Sequence, residues 1–232
     1  MLMATTRLDG DERRKAIVAA AVPLFSRKGF SGTTTKELAE TAGISEALLF
    51  RHFPSKKQLY DEILALGCEG DPALECLAAL DPSTTTLVRM IHFMVRYFLL
   101  GGGIDRSEFD TRLRLVLHSF LEDGDYAREL FDHIFARVHP LFAASLDAAR
   151  TAGDLRVDPS VAANSFWFSH HVAAMVAFVL LPVRASIAYQ GTLEALAEEA
   201  SWFILRGIGM RDAAIEATLS DYLENPLELA AD

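Results

Sequence analysis

Between Gly32 and Lys56 the chain reads GTTTKELAETAGISEALLFRHFPSK, a stretch dense in residue types that can meet a polyanion. Thr33, Thr34 and Thr35 place three hydroxyl donors beside a helix start. Lys36, Arg51, His52, Lys56 and Lys57 bring cations or donors to the same stretch. Helix N-termini at Thr33 and at Ser45 add backbone N–H groups and the positive end of a dipole. Such groups suit phosphate oxygens, contacts that position a partner without reading its sequence. A second set, Ser45, Glu46, Ala47, Phe50 and Arg51, falls on the outward face of one short helix. Arg51 can pair with a guanine and Ala47 can touch a thymine methyl. Glu46 can accept from a cytosine or simply repel phosphate.

Four short helices must position these groups. Asp11 can cap the first, which carries Ile17, Ala20, Ala21, Leu24 and Phe25 at helical spacing. Pro23 interrupts that stripe, and Lys28-Gly29 closes the helix. Thr33 or Thr34 opens the second, with Glu37 placed to complete a capping box. Gly43 ends it, Ser45 caps the third, and Pro54-Ser55 starts the fourth. Leu38, Ala39, Ile44, Leu48 and Leu49 can face a common core. Two helices joined by a short glycine-containing turn are the unit that lays its second helix in the DNA major groove.

Charge agrees with that placement. Of 232 residues, 22 are basic and 32 acidic, a net charge of −10. Residues 1–60 hold ten basic and six acidic side chains, so they carry +4 and the remainder −14. A basic head on an acidic body meets a polyanion through the head alone. Two cysteines, Cys68 and Cys76, are too few for a disulfide framework or a zinc site, and reduced thiols fit a cytoplasmic protein. The N-terminus lacks the apolar core of a signal peptide. The longest apolar run, Val172 to Val183, is shorter than the roughly 20 residues that span a bilayer. No membrane partner is expected.

The rest reads as helix, so the fold class is all-α. Breaks fall at Asp71-Pro72, Asp81-Pro82, Gly101-Gly102-Gly103, Gly124, the turn Gly153 to Pro159, Pro182 and Gly207. We divide the chain at residues 1–60, a helix-turn-helix domain, and 61–232, a helical ligand-binding and dimerisation domain. In the body, His92, Phe93, Arg96, Tyr97, Phe109, Arg112, His118, Trp167 and His170 put donors among aromatic neighbours and could hold a small molecule. His170-His171 resembles half a metal site, but adjacent helical residues point about 100° apart and do not readily share one ion. No metal and no cofactor are expected. Glycine-rich phosphate loops, HExxH and GxSxG are absent, and no catalytic constellation is visible.

The segment from about Arg13 to Leu64 resembles the N-terminal DNA-binding domain of the TetR family of transcriptional regulators. The matching stretches are AAAVPLFSRKGFSGTTTKELAETAGIS and LLFRHFPSKKQLYDEIL. Phe25, Gly29, Phe30, Thr34, Ala39, Gly43, Phe53, Ser55 and Lys56 sit where that family carries such residues. The resemblance implies a three-helix DNA head, a larger helical body and binding to a palindromic operator as a dimer. The turn GDLRVDP is also similar to the family's connection into its late, dimer-forming helices. Three positions depart from the pattern: Glu46, where the family often has a basic or small residue, Phe50, where it often has tyrosine, and Pro23 inside the first helix.

The expected function is thus a ligand-responsive dimeric regulator, a repressor, that binds a double-stranded DNA operator and is released by a small, largely apolar effector. The homodimer would form through helices at 158–181 and 192–206, the second presenting Leu193, Leu196, Ala197, Ala200, Phe203 and Ile204 on one side. The alternatives are a helical DNA-binding dimer without a small-molecule sensor, and a helical enzyme or carrier.

Overall fold

A computed structural model describes residues 9–68, 77, 79–101, 105–156 and 164–224. The breaks at Asp71-Pro72 and Gly102-Gly103, the Asp158-Pro159 helix start and Cys76 lie outside the described residues. Among the described residues ten helices follow one another: α1 Gly10–Lys28, α2 Thr35–Thr41, α3 Glu46–His52, α4 Lys56–Cys68, α5 Thr84–Leu100, α6 Arg106–Leu121, α7 Asp125–Ala152, α8 Ser165–Leu180, α9 Leu193–Gly207 and α10 Asp212–Glu224. Among the described residues the only extended pairing is an isolated bridge between Leu155 and Met210. The all-α reading holds.

Two compact units emerge, Met1–Glu69 with Ser107–His133, and Gly70–Arg106 with Ile134–Asp232. In the first, α1 to α4 close round Ile17, Leu24, Phe25, Leu38, Leu49, Phe53, Leu59 and Ile63, all buried. Local chemistry sets each boundary. Asp9, not Asp11, caps α1: its side chain accepts from the Glu12 N–H while Glu12 reaches back to the Asp9 N–H. Glu12 lies three residues after Asp9, the spacing that a capping box needs. Thr34 caps α2 in the same reciprocal way with Glu37, and the Ser45 Oγ accepts from the Leu48 N–H at 3.2 Å. Pro23 lies within α1 without ending it.

In the second unit α5 is the central helix, with Leu87, Val88, Val95 and Leu99 wholly enclosed. It packs against α8, α9 and α10. This sorts the six apolar residues expected on one side of α9. Leu196, Ala197, Ala200 and Ile204 of α9 are buried inside the unit, and only Leu193 and Phe203 of the six remain exposed. A 3.6-residue stripe marks a face that must be covered but does not say by what.

Candidate nucleic-acid interface

The turn between α2 and α3 is made by backbone. The Ile44 N–H returns to the Ala39 carbonyl at 2.9 Å, and the Gly43 N–H donates to Glu40 at 3.1 Å. Gly43 has φ +66°, in the left-handed region, and a Cβ there would meet nothing within 4 Å. Glycine serves here for its conformation and not for want of space. With Leu38, Ala39 and Leu49 buried, the opposite side of α3 is turned outward. Ser45, Glu46, Ala47, Phe50 and Arg51 are all exposed, Phe50 by 44%.

The threonines take different parts. Thr33 is 1% exposed, and its hydroxyl donates to the Gly29 carbonyl at 2.8 Å. That hydroxyl is spent inside the head, which corrects its reading as a surface donor. Thr34 is occupied as a cap. The Thr35 hydroxyl donates to Glu46 Oε1 at 2.7 Å, tying the start of α2 to the start of α3. Lys28 pairs with Glu37. That bond, first, and those from Thr34 hold the Glu37 carboxyl down to about 2. Lys36 is exposed and lies 3.9 Å from Glu40. His52 is half-buried, and its carbonyl accepts from Arg14.

Lys56 points inward. Its ammonium donates to the Phe30 carbonyl at 2.7 Å and the Thr33 carbonyl at 2.8 Å, and sits 4.2 Å from the Phe30 ring centroid. It fastens the segment between α1 and α2 to the head of α4.

Two positioning residues escaped the sequence reading. Arg14 donates through Nε and Nη2 to both Glu62 oxygens at 2.9 Å, and through Nη1 to the His52 carbonyl at 2.6 Å. Its guanidinium also lies 4.1 Å over the Phe53 ring. Glu122, at the end of α6, accepts from the Phe30 and Ser31 N–H groups at 3.2 and 3.0 Å. These partners lie 48 and about 92 residues away, beyond the reach of local periodicity.

The body candidates divide between the units. Phe109, Arg112 and His118 belong to the first, where Phe109 is buried and Arg112 pairs with Glu108 at 2.7 Å. His92, Phe93, Arg96, Tyr97, Trp167 and His170 belong to the second. There α5 and α8 bring Phe98 edge-on to His170 at 5.1 Å, with Trp167 against His170 at 5.9 Å. His92 and His170 are buried, and burial holds both imidazoles down to about 4. The charge of Arg96 adds to this for His92 and that of His171 for His170. The sign follows. As pH falls below the ordinary histidine value of 6.5, the unfolded chain takes up protons that the folded chain refuses until about 4. Stability is therefore expected to fall between about pH 7 and about pH 5, read as a lower urea midpoint, and His170→Asn should flatten the slope. Equal midpoints at both pH values would contradict it.

With this geometry in hand, comparison with known proteins adds three findings. Residues 17–63 match the family model described as bacterial regulatory proteins, tetR family. The chain is similar to the nucleoid occlusion factor SlmA of Vibrio campbellii, 30% identical over 128 residues, covering 55% of this chain and 63% of that protein. SlmA of Salmonella dublin is 28% identical over 129 residues, covering 55% and 62%. The chain thus spans less than two thirds of these relatives' length. In fold it is similar to a TetR-family bacterial regulatory protein from Rhodococcus RHA1, with a TM-score of 0.64 at 20% identity, covering 87% of this chain and 99% of that one. A TetR transcriptional regulator from Agrobacterium tumefaciens gives a TM-score of 0.58 at 16% identity over 90% and 98%.

Proposed function

We propose that this chain, whose residues 17–63 match the tetR family of bacterial regulatory proteins, is a regulator of that family that acts by binding DNA and not by catalysis, a cytoplasmic repressor that grips a palindromic operator as a homodimer. The carrying observation is the outward face of α3, where Ser45, Glu46, Ala47, Phe50 and Arg51 stand exposed on a helix whose other side is locked into the head. Base reading falls to Arg51, Ala47 and Glu46, with Thr35 holding the Glu46 carboxylate in place. Phe50 offers apolar contact. Lys36 and the hydroxyl-rich start of α2 lie on the phosphate side.

Dimerisation uses apolar surface that the body leaves uncovered. On α8, Phe168 and Met175 are 64% and 61% exposed, and on α9 Phe203 is 69% exposed. A two-fold dimer on an operator would meet half-sites about 34 Å apart, one turn of DNA. The aromatic and imidazole groups shared by α5 and α8 support a sensor for a small, largely apolar effector. Such an effector releases DNA only if it binds one arrangement of the heads more tightly than the other.

The test is titration of the operator duplex against the full chain at several salt concentrations. Affinity should fall with salt, and two chains should bind per duplex. Arg51→Ala should cost about 1–3 kcal/mol on the preferred duplex and narrow its advantage over unrelated ones. Equal loss on every duplex would remove Arg51 from base reading. The alternative is a helical DNA-binding dimer without a small-molecule sensor. Operator affinity unchanged across a broad panel of apolar compounds would select it.

A further inference from the structure

We propose that the cleft between α4 and the start of α7, within the first unit, binds a small flexible organic cation of the polyamine class. The cleft measures about 330 Å³, against about 30 Å³ for one water. Its rim carries five carboxylates, Asp61, Asp123, Asp125, Glu129 and Asp132, and two cations, Lys57 and Arg128. Both cations are already matched: Lys57 to Asp61 at 2.9 Å and Arg128 to Asp125 at 2.7 Å. Asp123 accepts the Asp125 N–H at 3.0 Å. Glu129 and Asp132, exposed on α7, have no ion pair among the described residues. The cleft therefore holds uncompensated negative charge.

Tyr60 supplies the independent observation. It lines the cleft and is only 7% exposed, and its hydroxyl is buried with no hydrogen-bond partner. Buried polar groups are normally satisfied, and one that is not calls for an explanation. Burial first, then Tyr126, Glu122 and Asp123, push this phenol upward, so it stays neutral and its lone pairs can accept an ammonium N–H. Phe30, its ring 5.2 Å from that of Tyr60, offers an apolar wall for methylene groups. Among the described residues no three His, Cys, Asp or Glu side chains are grouped to hold a metal ion. Charges spread round a rim suit amines spaced along a chain better than one compact ion.

The test is calorimetric titration of the full chain with spermidine at constant ionic strength of about 0.15 M, where loose attraction between exposed charges is screened. The expected result is saturable binding of one spermidine per chain, with magnesium at the same ionic strength failing to reproduce it. Glu129→Gln with Asp132→Asn should weaken binding by about two- to thirtyfold, the removal of two exposed charges. Tyr60→Phe should weaken it several-fold with an unchanged or higher Tm, since it deletes only a hydroxyl that has no partner. No saturable heat, equal binding of magnesium, or variants that bind as tightly as the parent would each overturn the proposal.

Discussion

Phe53→Ala is expected to cost about 3–5 kcal/mol and to abolish operator binding. Phe53 is 1% exposed. Its N–H closes α3 on the Leu49 carbonyl at 2.9 Å, and its ring carries the Arg14 guanidinium at 4.1 Å. Removing the ring opens a cavity under α3. It also loosens the arginine that joins α1 to the end of α3 and to Glu62 on α4. A domain of this size is stable by only about 5–15 kcal/mol, so the loss is a large share of the total. Helix melting followed by circular dichroism should show the first unit unfolding well below its normal temperature. Phe50→Ala is the matched control. Phe50 is 44% exposed, so its removal should leave stability within about 0.5 kcal/mol of the parent and act, if at all, on DNA. A Phe53→Ala protein melting with the parent would refute this account of the head.

Lys56→Met should destabilise the head by about 2–3 kcal/mol, as expected when carbonyls lose a charged donor. The methionine keeps an apolar stem near the Phe30 ring but abandons the Phe30 and Thr33 carbonyls. Operator affinity should then fall alike on every duplex, because the segment leading into α2 is no longer held. A pure phosphate contact makes a different forecast: unchanged Tm and a salt slope smaller by about one. Measuring Tm and salt dependence together separates the two. If Tm does not move, the ammonium acts on DNA and not on the backbone.

These two residues also show how far the chain can be read without coordinates. Caps, turns and exposed faces depend on neighbours within four residues, and most were legible. Thr34 and Ser45 cap their helices, Gly43 turns the chain, and α3 presents the five side chains expected on its outer face. Even the cap misplaced on Asp11 moved only two residues, to the aspartate that has a glutamate at the right spacing.

Destinations of long side chains were not legible in the same way. Lys56 was expected on phosphate, and the fold gives it two carbonyls 23 and 26 residues back. Thr33 looked like a surface hydroxyl and is enclosed. The α9 stripe looked like a partner-facing surface, yet most of it lines the body's own core. Periodicity says that a face is covered, and only packing says by which element. The sequence by itself therefore determined the resemblance to the tetR family, the helices and the outward face of α3, since each is written in local spacing. Tertiary structure alone decided that Arg14, Lys56 and Glu122 brace the head, and that five carboxylates gather beside a buried phenol. Both results require residues far apart in the chain to arrive at one place, a condition that no local pattern encodes.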